Sequence, residues 1–357
     1  MVRGVLAEQD TLAYVLDQRV REGDLYVPAE DGAVRCLACG HRCLIKPGRR
    51  GICQVRYNRE GKLYVPHGYV SALHLDPTEK KPFFHFLPGS QALTFGMLGC
   101  DFHCGYCQNW LTSQALRDPA AGVEPMDITA EDVIRIAKKY GARLVVSSYN
   151  EPLITSEWAV DVFKIAKPKG LYTAYVSNGN GTPEVLQYLR PWTDGYKVDL
   201  KSMNDRNYRQ LGGVLQHVLD TIKMVFAMGF WLEVVTLVVP GFNDSEAELK
   251  EAASFLASIS PDIPWHVTAF HKDYKMVEPD NTSARALRRA AEIGYEAGLH
   301  YVYAGNLPGR VNPYEDTRCP GCGLTLIRRY GFQILENLLG TSGRCPRCDT
   351  AIAGIWA

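Results

Sequence analysis

The sequence lacks an excess of charge of either sign, because its 39 lysine and arginine residues equal its 39 aspartate and glutamate residues. No global field would therefore draw the chain to nucleic acid or to an anionic membrane. It also lacks an apolar run of the roughly 18 residues that a membrane span needs. Residues Met1–Asp10 lack the basic-then-apolar pattern of a secretory signal. We expect a cytoplasmic globular protein without membrane contacts.

Cysteine, in contrast, is abundant and unevenly distributed along the chain. The 11 cysteines fall into an N-terminal group of four, a central group of three and a C-terminal group of four. The groups are Cys36, Cys39, Cys43 and Cys53; Cys100, Cys104 and Cys107; and Cys319, Cys322, Cys345 and Cys348. An odd total argues against a simple disulfide framework, and close spacings in a cytosolic protein favour metal binding.

The central group follows an apolar run, residues 93–98, that predicts a buried strand closed by Gly99. Its spacing is C-x3-C-x2-C, so three thiols share one tight loop. Iron–sulfur clusters are held by cysteine thiolates, and three ligands would leave one iron of a four-iron cluster open to a substrate. The alternative is zinc completed by Asp101 or His103, although structural zinc usually takes four closed ligands arranged as two pairs.

The two outer groups each supply four thiols. The N-terminal group lies in a stretch punctuated by glycine and proline, which predicts a loop. Ligand count and closure favour zinc there, and an auxiliary iron–sulfur cluster with the same four thiolates is the alternative. The C-terminal group consists of two C-x2-C pairs, which predict a structural zinc ribbon. The neutral overall charge favours a structural or partner-docking role for this ribbon over nucleic-acid binding.

Strand-like and helix-like segments alternate from residue 93 onward. Seven strand-like runs are predicted, at residues 93–98, 143–149, 173–177, 195–200, 231–239, 265–270 and 300–303. Capping patterns at Thr129, Thr182 and Ser245 predict helix starts between them. Repeated βα units predict an α/β fold with a parallel sheet and right-handed crossovers. The pattern alone fits either a partial barrel of six units or a doubly wound open sheet.

Polar motifs follow six of these strands. They are the cysteine loop, Ser148–Pro152, Ser177–Gly179, Asp199–Lys201, Pro240–Asp244 and Phe270-His271. Each motif alone is ordinary turn chemistry, but the carboxyl ends of parallel barrel strands are where active sites are built. The sequence therefore predicts one site at these strand ends. Upstream, His85 stands between two phenylalanines and fits either a buried packing histidine or a substrate-facing lid.

The pattern C-x3-C-x-aromatic-C after a first strand resembles the signature of the radical S-adenosylmethionine (SAM) enzymes. Cys100–Trp110 and the later motifs resemble the activases of glycyl-radical enzymes. Nearly the whole chain resembles the radical SAM member of the AmmeMemoRadiSam system, including Glu79–Pro82, His85-Phe86 and both outer cysteine groups. The resemblance favours the lid interpretation of His85. It implies a partial (β/α)6 TIM-like barrel of the radical SAM type.

The resemblance also implies a division of the chain into three parts. An N-terminal extension with the four-cysteine metal site would occupy residues 1–90, the radical SAM core residues 91–315, and a C-terminal zinc-ribbon-like module residues 316–357. Cys100, Cys104 and Cys107 would bind a 4Fe–4S cluster, with SAM at its fourth iron.

The same resemblance assigns expected roles to residues around the cluster. Tyr106, Val239 and Gly241 would contact adenine; Ser177, Asn178 and His271 the ribose; and Tyr149, Asn150 and Glu151 the methionine amino group, in place of a Gly-Gly-Glu motif. Asp199 and Lys201 match an Asp-x-Lys motif near the reacting centre. Because side chains replace the two glycines, the backbone at residues 149–150 should approach the cofactor less closely.

The implied activity is reductive cleavage of SAM to methionine and a 5′-deoxyadenosyl radical that abstracts hydrogen from a substrate, with flavodoxin or ferredoxin as electron donor. Three hypotheses concern its use. The protein activates a partner glycyl-radical enzyme; it modifies a small molecule or a protein residue, with Memo-type and AMMECR-type proteins as partners; or it is a non-catalytic metal-binding docking protein. The outer cysteine groups argue against the first, since those activases lack them in this form.

Overall fold

The structure is a computed structural model and describes residues 11–356. Its N-terminal part consists of one short helix and seven short strands. These are α1 (Leu12–Asp17), β1 (Val20–Glu22), β2 (Tyr26–Pro28), β3 (Val34–Cys36), β4 (Leu44–Ile45), β5 (Tyr57–Arg59), β6 (Lys62–Pro66) and β7 (Tyr69–Val70). The first six strands form two small antiparallel sheets, ordered β1-β6-β5 and β2-β3-β4. The interpretation of Met1–Asp10 concerns residues outside this described part.

An eight-stranded sheet forms the centre of the molecule. Its strands are β8 (Ala72–Pro77), β9 (Gln91–Gly96), β11 (Leu144–Ser147), β12 (Tyr172–Ser177), β13 (Gly195–Asp199), β14 (Trp231–Val238), β15 (Trp265–Ala269) and β16 (Val302–Gly305), while β10 (Met126–Asp127) pairs with β7. The order is β16-β15-β14-β13-β12-β11-β9-β8, and β8 runs antiparallel to β9. All seven predicted strands are confirmed.

The strand order follows chain order without the reversal that defines a doubly wound sheet. Within residues 11–356, β8 and β16 do not pair with each other, so the sheet is open and the barrel is partial. The predicted domain boundaries stay predictions, and β8, from the predicted N-terminal extension, is a strand of this central sheet.

Helices connect the parallel strands. They are α2 (Trp110–Ser113), α3 (Ala130–Lys139), α4 (Ser156–Ala166), α5 (Pro183–Leu189), α6 (Asp205–Leu211), α7 (Leu215–Ala227), α8 (Glu246–Ile259) and α9 (Ala284–Glu296). The predicted caps are confirmed, because Thr129, Thr182 and Ser245 each accept a hydrogen bond from an amide in the first turn of the helix that follows. In the described part of the chain, no helix is long and apolar enough to cross a membrane.

Residues 83–87 close the end of the sheet where the parallel strands begin. Phe86 packs against Tyr172 at the start of β12, and a Cβ atom on Gly195, the first residue of β13, would lie 2.4 Å from the Phe86 ring. His85 is buried, with Nε2 at 2.5 Å from the Tyr303 hydroxyl and Nδ1 at 2.6 Å from the Ala353 carbonyl oxygen. The lid interpretation of His85 is therefore wrong, and the packing interpretation is right.

The C-terminal module is a three-stranded antiparallel sheet, β17 (Thr317–Arg318), β18 (Thr325–Tyr330) and β19 (Gln333–Asn337), followed by the last two cysteines. Arg329 joins it to the closed end of the central sheet. The buried guanidinium donates to the Phe84 carbonyl oxygen at 3.0 Å and to the Thr317 hydroxyl at 2.7 Å. Ile355, near the end of the C-terminal module, also contacts the closed end of the sheet, because the Leu87 amide donates to its carbonyl oxygen at 2.8 Å.

Candidate functional site

The central cysteine loop leaves the carboxyl end of β9, opposite the closed end of the sheet. Gly99 opens the loop with a φ of +93°, and a Cβ atom there would lie 2.8 Å from the Val55 side chain, so both conformation and space require glycine. The Phe102 amide donates to Sγ of Cys100 at 3.4 Å, and Sγ of Cys107 lies 3.2 Å from the Ser113 hydroxyl. The loop thus places its thiols where parallel barrels carry their active sites.

Sulfur spacing distinguishes the three cysteine groups. In the C-terminal group, all four sulfurs lie within 4.8 Å of one another, with Cys319 and Cys348 at 3.5 Å and Cys322 and Cys345 at 3.6 Å. Four thiolates around one zinc ion, at the usual Zn–S distance, lie about 3.8 Å apart. This compact group could therefore bind a single ion such as the predicted zinc.

The other two groups are wider. Among residues 11–356, no three of the remaining thiols are as close as 4.8 Å. A four-iron cluster binds each thiolate to a different iron and so spreads its ligands further than a single ion does. A spacing wider than a single ion allows favours a cluster at Cys100, Cys104 and Cys107 over the zinc alternative.

The N-terminal thiols are buried, except for Cys43, which is half-buried. Cys39, Cys43 and Cys53 each lie close enough to Cys36 for their charges to interact. Burial raises the pKa of Cys53 to about 12 and also raises the pKa values of Cys39 and Cys43. A bound cation is what would hold these groups as thiolates, because metal ligands must be deprotonated.

Two buried carboxylates lie directly behind the loop. Asp101 accepts hydrogen bonds from the side-chain amides of Asn178, at 2.7 Å, and Asn180, at 2.8 Å. Glu151 accepts from the Ser177 hydroxyl at 2.7 Å and from the Asn178 amide at 2.6 Å. Burial, and then the charge of Asp101, raises the pKa of Glu151. The structure therefore brings three predicted residues, Glu151, Ser177 and Asn178, into one network.

Tyr149 has a backbone conformation that usually belongs to glycine. Its φ is +69°, in the left-handed region that strains residues with a Cβ atom. Its hydroxyl lies 2.9 Å from Nζ of Lys81, and Lys81 also lies 4.8 Å from the ring centroid. The neighbouring Asn150 accepts from the Met97 amide at 3.1 Å. Tyr149 thus keeps a glycine-like backbone shape and directs its side chain to Lys81.

The end of β13 carries two cations around one carboxylate. Nζ of Lys201 lies 3.3 Å from Asp199, and Lys197 contacts the other oxygen of the same carboxylate. Burial opposes the charge of Lys201, but Asp199 raises its pKa. Burial likewise opposes the charge of Asp199, but Lys197 and then Lys201 lower its pKa. Burial lowers the pKa of Lys197 in spite of the same carboxylate, so the two lysines share one counter-charge.

A cavity of 390 Å³ opens between the cysteine loop and these charged groups. The predicted site residues that line it are Cys104, Tyr106, Cys107, Tyr149, Asp199 and Lys201. An adjoining cavity of 350 Å³ contains His271, whose Nε2 lies 2.8 Å from Nε2 of Gln108. A larger cleft of 730 Å³ lies against α3 and α4 and has no cysteine in its lining, so the thiols identify the 390 Å³ cavity as the candidate site.

Other predicted residues lie outside this lining. Glu151, Ser177 and Asn178 belong to the network behind the loop, and Asn150 is close to the end of β9. Val239 and Gly241 form the turn after β14, where their amides donate to Asn243 at 2.7 Å and to Asp244 at 2.8 Å.

Sequence analysis missed three charged residues of the site. Lys81 and Lys197 line the cavity, and Asp101 appeared only as an alternative zinc ligand. The signal for Lys197 is a lysine inside an otherwise apolar strand, where a charge must be paired. Lys81 is the second of two consecutive lysines, but its distance of 116 positions from Lys197 in the sequence hides their proximity.

Residues 95–256 match the sequence profile of the Radical SAM superfamily. An uncharacterized protein of Methanocaldococcus jannaschii is 36% identical over 336 residues, which cover 93% of this chain and 99% of that protein. Pyruvate formate-lyase 1-activating enzyme of Escherichia coli is 27% identical over 205 residues, which cover 54% of this chain and 80% of the enzyme.

Among solved structures, a radical SAM methyltransferase from Sphaerobacter thermophilus covers 81% of this chain and 78% of its own, with a TM-score of 0.49 and 15% identity. A domain of pyruvate-formate lyase-activating enzyme from Bacteroides vulgatus covers 45% of this chain and 98% of its own, with a TM-score of 0.40 and 23% identity.

Proposed function

Because this chain belongs to the radical SAM superfamily and has homologues among activating enzymes, we propose that it cleaves SAM reductively at a 4Fe–4S cluster bound by Cys100, Cys104 and Cys107. When bound, the cluster supplies the electron that splits SAM into methionine and a 5′-deoxyadenosyl radical, which then abstracts hydrogen from a substrate. The observation that carries the proposal is the three-thiol loop at the carboxyl ends of the strands, two of whose thiols, Cys104 and Cys107, line a 390 Å³ cavity.

The charged residues of the cavity would bind and orient the reactants. Lys201, held by Asp199, presents an ammonium group that would bind a carboxylate through a charge-assisted hydrogen bond. Asp199 raises the pKa of Lys201 and so favours its charged form in spite of burial, while Lys197 lowers the pKa of Asp199. This arrangement suits the carboxylate of SAM or an acidic group of the substrate.

The remaining predicted residues would surround SAM on its other sides. Glu151 would face the methionine ammonium, whose positive charge would offset the burial and the charge of Asp101 that raise the pKa of Glu151. Ser177, Asn178 and His271 would contact the ribose, and Tyr106, Val239 and Gly241 the adenine. The lining of Tyr149, Val176 and Leu237 would exclude water from the reacting centre.

The test is SAM cleavage under anaerobic conditions. After reconstitution with iron and sulfide, dithionite and SAM should yield 5′-deoxyadenosine, measured by liquid chromatography and mass spectrometry. The variant Cys100→Ala/Cys104→Ala/Cys107→Ala should lose this activity, while Tyr140→Ala, at an exposed position after α3, should keep it. Continued cleavage by the triple variant, or zinc on these three thiols, would refute the proposal. Cleavage by the wild type would also exclude a purely docking function.

The substrate is a separate question. Similarity to pyruvate formate-lyase 1-activating enzyme favours a partner protein as the second candidate beside a small molecule. Proposed partners are a flavodoxin or ferredoxin as electron donor, and Memo-type and AMMECR-type proteins. Transfer of deuterium from a labelled candidate into 5′-deoxyadenosine would identify the hydrogen donor, and no transfer from any glycine of a partner protein would exclude the activase function.

A further inference from the structure

The four-thiol site of the N-terminal part lies directly against the central cysteine loop. A Cβ atom on Gly99 would approach the Cys53 carbonyl oxygen to 3.1 Å, so the two chain segments are in contact there. Arg117 joins them a second time, because its guanidinium donates to the carbonyl oxygens of Ile52, at 2.5 Å, and Phe102, at 2.7 Å. The chain segments that carry the two sets of thiols are therefore packed against each other.

Asp101 lies at the contact between these two segments. Its charge acts on Cys39 and on Cys100, one thiol from each set. Its backbone carbonyl oxygen is 3.2 Å from Nε2 of His41, which belongs to the N-terminal segment. Because one carboxylate is close to both sets, the two sites are near neighbours in space although their first cysteines are 64 positions apart in sequence.

The spacing of the N-terminal thiols distinguishes between the two alternatives that the sequence left open, zinc and an iron–sulfur cluster. Zinc would gather all four sulfurs to about 3.8 Å, and the sulfurs of the C-terminal group do lie within 4.8 Å of one another. No three of the N-terminal sulfurs form such a compact group, although Cys39, Cys43 and Cys53 each lie close enough to Cys36 for their charges to interact. A spacing wider than one zinc ion allows favours ligands to separate irons of one cluster.

We propose that Cys36, Cys39, Cys43 and Cys53 hold a second iron–sulfur cluster rather than zinc, placed to pass electrons to the cluster of the central loop. The transfer of electrons rests on the proposed function, whereas the identity of the metal does not. One electron from a donor of the flavodoxin or ferredoxin class reduces the second cluster. The same electron then reduces the loop cluster and reoxidises the second one, and no bond or proton changes in this step.

The half-buried Cys43 marks where such a donor would approach. Its neighbour in sequence, Leu44, has 52% of its surface exposed, and Ile52 has 46% exposed. The backbone amide of Ile52 also interacts with the Cys43 thiol by a hydrogen bond. The side chains of Leu44 and Ile52 therefore flank the most accessible edge of the site. Exposed apolar residues beside a redox centre suit a transient electron-transfer partner.

The first experiment counts metals in the reconstituted full-length protein. If both sites hold 4Fe–4S clusters, the wild type should contain about eight iron atoms and one zinc per chain. The variant Cys100→Ala/Cys104→Ala/Cys107→Ala should keep about half of the iron and show, after dithionite reduction, an electron paramagnetic resonance signal that SAM leaves unchanged. A triple variant with no iron and about two zinc ions per chain would overturn the proposal.

The same measurement distinguishes failure of the two proposals. If the loop binds no cluster, the wild type and the triple variant have equal iron contents and SAM alters neither spectrum. If the N-terminal site binds zinc, only the wild type contains iron.

The second experiment tests electron transfer. Cys43→Ala should lose SAM cleavage that is driven by reduced flavodoxin but keep cleavage driven by dithionite, a small reductant able to reach the loop directly. Tyr140→Ala, an exposed residue directly after α3 that lines neither cavity, is the control and should keep both activities. Equal activity of Cys43→Ala and wild type with flavodoxin would overturn the proposed transfer. Circular dichroism and retention of the loop cluster's iron would establish that the variant is folded.

Discussion

A buried ion pair fastens the N-terminal part to the central domain. Arg56 and Glu157 make two parallel contacts of 2.7 Å, and their side chains are 1% and 0% exposed. Arg56 also donates to the Ile154 carbonyl oxygen at 3.1 Å, and Glu157 accepts from the amides of Asp24 and Leu25 at 3.3 and 3.4 Å. Since Glu157 lies on α4 and Arg56 follows the N-terminal cysteines, the pair decides how firmly that segment is held.

The expected magnitude depends on which partner is removed. Arg56→Met leaves the Glu157 carboxylate buried without a counter-charge and should destabilise the protein by about 3–5 kcal/mol, as should Glu157→Leu for the opposite charge. The double variant Arg56→Met/Glu157→Leu leaves no unpaired charge. It still leaves two amides without an acceptor, so it should cost only about 1–3 kcal/mol, less than either single variant.

Anaerobic urea denaturation, followed by the fluorescence of the buried tryptophans, measures these differences. Metal content should be measured alongside, because Arg56 lies close to Cys36 and Cys53. Arg289→Met, which removes an exposed ion pair with Glu246, is the control and should leave the denaturation midpoint unchanged. A double variant that loses as much stability as the sum of the single variants would show that the two charges are not coupled, and the reasoning would be wrong.

Four further predictions follow from the same structure. Gly195→Ala should lower the thermal midpoint, since its Cβ atom would lie 2.4 Å from the Phe86 ring, and Phe86→Leu in the same chain should restore part of it; no recovery would contradict the contact. Burial lowers the pKa of His85 from 6.5 to about 4, so unfolded chains take up the proton first and about 3 kcal/mol of stability, present above pH 6.5, should be lost as the pH falls toward 4; unfolding free energies that do not change over this range would refute it. At Tyr149 the usual order should reverse, with Tyr149→Gly more stable than Tyr149→Ala by about 1 kcal/mol in urea denaturation because φ is +69°; the ordinary order would mean that the backbone relaxes. Cys345→Ala should remove zinc and leave iron unchanged in metal analysis, and a loss of iron would show that this group binds a cluster.

The sheet could be predicted because its signals are local. The parallel strands are mainly apolar runs buried on both faces, and several helix starts carry their own cap, as Thr129 and Ser245 show. The position of the site could also be predicted from the sequence, since parallel strands present their carboxyl ends on one side of the sheet. These inferences need only the period of the pattern and the identity of a few turn residues.

The errors and gaps concern contacts between distant segments. His85 looks the same in sequence whether it closes the start of the sheet or covers a substrate, and only its contacts with Tyr303 and Ala353 decide. The metal at the N-terminal cysteines was left open for the same reason. Four cysteines within 18 residues satisfy zinc and a cluster equally well in number, whereas the distances between their sulfurs differ.

The arrangement of the three cysteine groups explains why the chain carries so much structure outside its sheet. Residues 83–87 close the start of the strands, so reactants can reach the loop cysteines only from the carboxyl ends. That opening is bordered by both flanking parts of the chain. The N-terminal site lies against the loop at Gly99, and Phe332, between β18 and β19 of the C-terminal module, lines both the 390 Å³ and the 350 Å³ cavities. A metal in the C-terminal group therefore stabilises a sheet that forms part of the cavity wall, and one in the N-terminal group stabilises the segment behind the loop. Both outer groups are thus part of the architecture of one site rather than separate appendages.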